Sequence, residues 1–176
     1  MAWGDYDNDG DPDLLISEFS VGGPTRVYRN DAGTFTDINA GLQDLGFPGV
    51  AWGDYDNDGD LDILLAGQIG SAGTMKIYRN DGGVFADIGA AFLDSPIGVG
   101  CEWGDYDNDG DLDIVVTGRG LFPDPNATRI YRNDGAGVFT DVSAGLPNAA
   151  GIARWGDYDR RRRSGHPGRG RHRSFP

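Results

Sequence analysis

The sequence is poor in the side chains that most often carry catalysis. Its 176 residues include one cysteine and two histidines, and both histidines lie after residue 160. Residues 1–159 contain a single lysine, Lys76, and two glutamates, Glu18 and Glu102. A lone cysteine excludes an internal disulfide, and general acid–base chemistry in this region would fall to a tyrosine or an aspartate. We therefore expect a protein that is not an enzyme.

Long apolar runs and a basic surface are also missing. No stretch approaches the roughly 18 apolar residues of a transmembrane helix, and no basic-then-apolar leader precedes the first motif. The formal net charge is −13, and all 28 acidic residues lie within 1–159, together with 8 of the 15 basic residues. This acidic excess argues against nucleic acid as a partner, because phosphate binding needs a basic face.

The chain is dominated by an internal repeat. The motif Trp-Gly-Asp-Tyr-Asp recurs at spacings of 49, 51 and 52 residues, beginning at Trp3, Trp52, Trp103 and Trp155. Tyr-Arg-Asn-Asp and Gly-x-Phe-x-Asp follow it in the same order in each complete copy. A period of this size indicates a repeat architecture. We predict repeats at 1–49, 50–100 and 101–152, the start of a fourth at 153–159, and a separate tail at 160–176.

Each repeat has the pattern of four short β-strands. In the second copy, residues 50–54 enter an acidic loop, and the apolar run 63–66 is typical of a buried strand. Residues 75–78 alternate as a strand does, and Asn-Asp-Gly-Gly at 80–83 predicts a hairpin before 84–88. No segment has a sustained helical period. The pattern predicts an all-β fold: a partial β-propeller with three complete four-stranded antiparallel blades and the start of a fourth.

An acidic nonapeptide, Asp-x-Asp-x-Asp-Gly-Asp-x-Asp, recurs at 5–13, 54–62 and 105–113, and we call these copies acidic loops 1, 2 and 3. Carboxylates packed this densely repel one another unless a cation lies among them. Ca²⁺ accepts about six to eight oxygen ligands at flexible angles, whereas Mg²⁺ prefers to keep its waters. We predict about one Ca²⁺ per complete repeat; the alternative is a solvated acidic turn without metal.

Within each acidic loop, positions 1, 3 and 5 can converge on one point, the glycine at position 6 permits a sharp turn, and position 9 can close the cage. Position 7 is expected to contribute a backbone carbonyl, so its side chain should matter less. An EF-hand is excluded because its position-12 glutamate is replaced by an apolar strand residue. The predicted metal-site residues are Asp5, Asp7, Asp9, Asp11, Asp13, Asp54, Asp56, Asp58, Asp60, Asp62, Asp105, Asp107, Asp109, Asp111 and Asp113.

These motifs resemble the FG-GAP/VCBS-type repeat family, which is related to the propeller repeats of integrin α-subunits. The resemblance covers residues 1–159. It implies a closed propeller with more blades than this chain holds, and calcium in the loop between the first two strands of a blade. It also implies secretion or cell-surface placement, and adhesion or binding of a protein or glycan ligand. We therefore expect a fragment that is completed by further blades or by self-association.

Two other functions stay open beside adhesion. Some polysaccharide lyases are propellers of related repeats, so the chain could be part of such an enzyme, and a purely structural spacer is the third alternative. Recurring residues have structural interpretations. The tryptophans are expected to pack between blades rather than to stack sugars. Arg29, Arg79 and Arg132 are expected to pair with nearby aspartates rather than to form a ligand ring.

The tail at 160–176 interrupts the fourth acidic loop and differs in charge from the rest of the chain. It carries +7, whereas residues 1–159 carry −20. One set of synonymous codons for 160–169, read one base later, encodes Gly-Asp-Gly-Asp-Leu-Asp-Ile, which would restore the loop after Asp159. We interpret the tail as the product of a single-base frameshift and predict that it is disordered. A basic nucleic-acid-binding or localisation tail is the alternative.

Overall fold

The computed structural model describes residues 1–20, 22–92, 96–119, 127–149 and 151–156. Within these ranges every regular element is a β-strand, and no helix that could span a membrane is found. The end of the predicted fourth repeat and the whole predicted tail at 160–176 lie outside the described residues.

The strands form three four-stranded antiparallel sheets, each connected in chain order, which we call blades 1, 2 and 3. The predicted all-β fold of three four-stranded antiparallel blades is thereby confirmed. Blade 1 comprises β1 (Ala2–Gly4), β2 (Asp13–Ser17), β3 (Thr25–Asp31) and β4 (Thr34–Asp37). Blade 2 comprises β5 (Gly46–Gly53), β6 (Asp62–Ile69), β7 (Ala72–Asp81) and β8 (Val84–Asp87). Blade 3 comprises β9 (Ile97–Gly104), β10 (Asp113–Arg119), β11 (Ala127–Asn133) and β12 (Phe139–Asp141).

In blades 1 and 2 the predicted hairpin between the third and fourth strands is a two-residue turn, whereas in blade 3 residues 134–138 separate the two strands. In blade 2 its residues are Gly82 and Gly83, with φ of 62° and 91°. Such tight hairpins need positive φ at both central residues, which glycine adopts without strain. The turn between β6 and β7 is equally short. Pairing of Ile69 with Ala72 extends the β6–β7 ladder up to a turn at 70–71.

The hydrophobic core lies between the blades rather than inside one sheet. Successive side chains of a strand point to opposite faces. In β6, Ile63 and Leu65 belong to the cluster shared with blade 1, whereas Leu64 and Ala66 belong to the cluster shared with blade 3. All four side chains are completely buried. A strand that is covered on both faces has apolar residues at successive positions, which explains why residues 63–66 are all apolar.

The tryptophan at the start of blades 2 and 3 packs between blades, as predicted. Trp52 stacks on Tyr6 of blade 1, with ring centroids 5.9 Å apart and planes 7° apart. Trp103 stacks on Tyr55 of blade 2, with centroids 6.1 Å apart and planes 12° apart. Each tyrosine is position 2 of an acidic loop, so the loop of one blade forms part of the contact with the next.

Candidate metal centres

Each acidic loop connects the first two strands of its blade. Two of its positions have a left-handed backbone: position 4, with φ of 58°, 60° and 66°, and position 6, with φ of 96°, 97° and 103°. Glycine enters this region freely, and asparagine does so more readily than most other residues. The glycine was predicted from the pattern, but the conformational role of the asparagine was missed. The residues are Asn8, Asn57 and Asn108 at position 4, and Gly10, Gly59 and Gly110 at position 6.

The carboxylate at position 1 closes the loop by accepting backbone hydrogen bonds. Asp5 Oδ1 accepts from the N–H of Asp9 at 3.1 Å, and Asp5 Oδ2 accepts from the N–H of Gly10 at 3.0 Å. Asp54 accepts from the same two positions of loop 2 at 3.0 Å and 3.1 Å. The position-5 carboxylate accepts from the N–H at position 7 in all three loops. These bonds fold nine residues into a compact turn that keeps its carboxylates close together.

The carboxylate at position 9 ties the loop to the third strand of its blade. Asp62 Oδ2 accepts from the N–H of Tyr55 at 3.0 Å, and Oδ1 accepts from the N–H of Asn80 at 2.8 Å. Asp13 and Asp113 make the same two kinds of bond, and all three side chains are fully buried. Burial raises the pKa of Asp62 to about 7 and that of Asp113 to about 6, although the backbone N–H bonds oppose the shift. A nearby cation would favour the charged form of these groups.

Three carboxylates in each loop approach closely enough to share a cation. One oxygen from each member of a group lies within 4.8 Å of the others. Loops 1 and 3 group positions 1, 3 and 9, whereas loop 2 groups positions 1, 3 and 5. Every predicted ligand position except position 7 therefore occurs in at least one group. The members are Asp5, Asp7 and Asp13 in loop 1, Asp54, Asp56 and Asp58 in loop 2, and Asp105, Asp107 and Asp113 in loop 3.

The carboxylate at position 3 fits the role of a cation ligand. Asp7 Oδ1 is buried and has no hydrogen-bond partner among the described residues. A buried oxygen without a donor is unfavourable unless an ion or water satisfies it. Burial, with repulsion from Asp13 and Asp9, raises the pKa of Asp7, and burial also raises the pKa of Asp56 and of Asp107. A carboxylate-rich set with an unsatisfied buried oxygen suits a hard divalent cation such as Ca²⁺.

The side chain at position 7 contacts the hairpin and the preceding blade. Asp60 Oδ2 accepts from the N–H of Gly82 at 3.1 Å, and Asp60 Oδ1 accepts from Asn8 Nδ2 of blade 1, also at 3.1 Å. Asp111 Oδ1 likewise accepts from Asn57 Nδ2 of blade 2 at 3.0 Å. The side chain at position 7 therefore contributes to the contact between blades. That it matters less for calcium binding, and that its backbone carbonyl is a ligand, stay predictions.

The asparagine of Tyr-Arg-Asn-Asp supports the site and was missed in the sequence analysis. Asn80 Nδ2 donates to the carbonyl of Tyr6 in the preceding blade at 2.9 Å and also to a carbonyl of its own acidic loop. Its Oδ1 accepts from the N–H of Gly83 in the hairpin. Asn133 reaches the carbonyl of Tyr55 in the same way, at 3.0 Å. Recurrence at 30, 80 and 133 was the available signal, but it was read only as part of a turn.

The recurring arginines pair with the aspartate two residues further along, as predicted. The N–O distances are 2.8, 2.8 and 2.7 Å for Arg29–Asp31, Arg79–Asp81 and Arg132–Asp134. These pairs are partly exposed, and such pairs contribute little to stability because solvent screens them. The guanidinium groups are thus paired with carboxylates of their own blades.

Fold and site together define a class of protein: an all-β repeat protein in which an acidic loop joins the first two strands of every blade. The profile of the FG-GAP-like repeat matches residues 5–65 and 54–116. Each match begins at the first aspartate of one acidic loop and ends in the buried strand that follows the next loop. The chain belongs to the FG-GAP-like repeat family, which confirms the resemblance. No curated protein sequence matches the chain significantly.

Proposed function

We propose that the chain is a calcium-binding β-propeller-type repeat module that holds about one Ca²⁺ in the acidic loop of each complete repeat. The observation that carries this proposal is the group of three carboxylates, within 4.8 Å of one another, in each of the three loops. Carboxylates at positions 1, 3, 5 and 9 and the backbone carbonyl at position 7 would hold the ion. Oxygen ligands in this number suit Ca²⁺ better than Mg²⁺.

Calcium in these loops would stabilise the blades. Asp62 already links the acidic loop to β7 through the N–H groups of Tyr55 and Asn80. An ion bound beside it would offset the repulsion among the carboxylates and add its binding free energy to the folding free energy. Extracellular calcium modules bind at roughly 10⁻⁴ to 10⁻³ M. We therefore also propose a working environment outside the cell, where a site of such affinity would be occupied at millimolar calcium.

Calorimetric titration of the calcium-depleted chain tests the proposal. We expect about one Ca²⁺ per acidic loop and much weaker binding of Mg²⁺. The triple variant Asp7→Asn, Asp56→Asn, Asp107→Asn should lose this binding. A matched control removes three carboxylates from the same blades but outside the loops, by Asp31→Asn, Asp81→Asn and Asp134→Asn, and should retain it. Absence of bound calcium at millimolar concentration, or equal loss in both triple variants, would refute the proposed sites.

We further propose that the module binds an extracellular protein or glycan ligand rather than catalysing a reaction. Residues 1–159 contain no histidine, and many of their aspartates lie in the acidic loops. A glycan array, screened in millimolar calcium and again in chelator, tests the binding role. We expect binding that is lost in chelator. A polysaccharide lyase assay on the same preparation tests the alternative, and turnover above the background of the loop triple variant would overturn the non-catalytic assignment.

A further inference from the structure

Blade 1 presents a face that lacks the partner found on the equivalent faces of blades 2 and 3. Trp52 and Trp103 are each stacked by a tyrosine from the acidic loop of the preceding blade. Trp3 occupies the same place in blade 1. Within the described residues Phe35 of its own blade is the only aromatic ring that packs on it, with centroids 6.1 Å apart, and the Trp3 side chain is 55% exposed. Blade 1 therefore presents the tryptophan of this contact, but no tyrosine of the described residues stacks on it.

Polar groups on this face repeat the same pattern. In blade 2, Asn80 Nδ2 donates to the carbonyl of Tyr6, and Asp60 Oδ1 accepts from Asn8, both across the boundary with blade 1. The equivalent residues of blade 1 are Asn30 and Asp11. Their described hydrogen bonds all stay inside blade 1. The face thus specifies its partner: an acidic loop with a tyrosine ring and a free tyrosine carbonyl at position 2.

The complementary edge lies at the other end of the described chain. Tyr106 of acidic loop 3 stacks on Trp155, with centroids 6.3 Å and planes 20° apart. A Cβ on Gly104 would lie 2.5 Å from the Trp155 ring, just as one on Gly53 would lie 2.4 Å from the Trp103 ring. Glycine therefore permits the close approach of a tryptophan both between blades 2 and 3 and at the outer edge of blade 3. Residues 151–156, which carry Trp155, form no strand.

We propose that this face binds a second copy of the chain head to tail. Blade 1 of one copy would take the place of residues 151–156 on blade 3 of the other. Trp3 would then stack on Tyr106 instead of Trp155, and Asn30 would reach the carbonyl of Tyr106 as Asn80 reaches that of Tyr6. The chain is its own fitting partner because it carries both halves of a contact that it already forms between its blades.

Residues 151–156 compete with the second copy. They have the advantage of being in the same chain, which gives them a high effective concentration. Trp155 also donates two hydrogen bonds to Glu102, and Arg154 pairs with the Glu102 carboxylate. Against these contacts, a whole blade would offer the aromatic pair of Trp3 and Phe35 together with the polar groups of Asn30 and Asp11. A head-to-tail contact is heterologous and gives rings or open chains of copies. The inference does not depend on the proposed calcium sites.

Sedimentation velocity of the full chain, from low micromolar to several hundred micromolar, tests this proposal. Two tryptophan-to-alanine substitutions should change the association in opposite directions. The wild-type chain should show a reversible rise in mass with concentration. Trp3→Ala should weaken association by at least about tenfold, because a central interface tryptophan commonly carries that much binding free energy. Trp155→Ala removes the competitor and should strengthen association. Phe19→Ala is the matched control, since Phe19 is 65% exposed but packs on Phe47 of blade 2.

Thermal melts of each variant establish that it is folded before its mass is interpreted. Three results would overturn the proposal: a monomer at every concentration for both wild type and Trp155→Ala, association that survives Trp3→Ala unchanged, or equal weakening by Phe19→Ala.

Discussion

At the scale of single residues, chemically identical aspartates of one loop differ in role because their oxygens have different partners. Both oxygens of Asp62 accept backbone N–H groups, whereas the buried Oδ1 of Asp7 has no described partner. The oxygens of Asp60 bind the hairpin and the preceding blade. The same substitution should therefore have different consequences at positions 3, 7 and 9.

Asp58→Ala and Asp60→Ala should separate calcium binding from blade packing. Asp58 belongs to the carboxylate group of loop 2, so its loss should weaken calcium binding at that loop. Asp60 lies outside that group, and its loss should instead remove two hydrogen bonds, at roughly 1 kcal/mol each in the metal-free protein. Calorimetry measures the calcium affinity of each variant, and urea unfolding measures its free energy of unfolding.

Asp11→Ala is the control for the loss of stability expected in Asp60→Ala. Asp11 bonds its own hairpin through Ala32 but has no described bond to a preceding blade. We expect it to cost about half as much as Asp60→Ala, because it breaks one bond instead of two. Calcium affinity that falls more in Asp60→Ala than in Asp58→Ala would contradict this division of roles.

Asn80→Ala should be among the most destabilising polar substitutions in the described residues. Asn80 is fully buried, and its side chain bonds the preceding blade, its own loop and its hairpin. Leaving such partners unsatisfied should lower the free energy of unfolding by roughly 2–4 kcal/mol in urea. Asn30→Ala should cost less, since Asn30 lacks the bond across blades. Equal losses in the two variants would argue against a role for the Tyr6 contact.

At the scale of the element, the acidic loop should make stability depend on pH with a sign that calcium reverses. In the metal-free protein the pKa of Asp62 is raised to about 7 and that of Asp113 to about 6, chiefly by burial. An unfolded aspartate has a pKa of about 3.9, so between these values the folded state binds more protons than the unfolded state. Stability from these groups must therefore fall as pH rises from about 4 to about 7.

Calcium needs the deprotonated carboxylates, so its stabilising effect should grow over the same pH range. Urea unfolding at pH 5 and pH 7.5, in calcium-free buffer and in millimolar calcium, measures both slopes. Asp62→Asn should flatten the calcium-free slope, because it removes the group with the most strongly raised pKa. A calcium-free protein that becomes steadily more stable towards pH 7.5 would contradict this account of the loop.

The strands and the acidic loops were predictable from local sequence, whereas the contacts between blades were not. The run at 63–66 predicts a buried strand, and the glycine at position 6 predicts a sharp turn, because both signals lie within a few residues. The bond from Asn8 to Asp60 joins residues 52 positions apart. The repeat period places both residues in their loops, but it does not say which side chain of one blade meets which of the next. Asn80 was therefore read as a turn residue.

At the scale of the whole molecule, the blades form a linear array in which each blade contacts its neighbours. Such arrays owe their stability to the blades and to the contacts between them. Besides the hydrophobic core between the blades, acidic-loop residues form part of this contact: Tyr6 stacks on Trp52, and Asn8 bonds Asp60. A cation that orders one loop should therefore also support the next blade. Residues 1–159 carry a net charge of −20, so calcium should also relieve repulsion along the array.

The most direct test of the central claim, calcium in the acidic loops, is a thermal melt of the full chain in chelator, in millimolar calcium and in millimolar magnesium at matched ionic strength. Calcium at 100-fold above its Kd adds about 2.7 kcal/mol per site, so we predict a large rise in Tm with calcium and a smaller one with magnesium. The triple variant Asp7→Asn, Asp56→Asn, Asp107→Asn should lose the calcium response. A Tm that is the same in chelator and in calcium, with no calcium bound, would contradict the account.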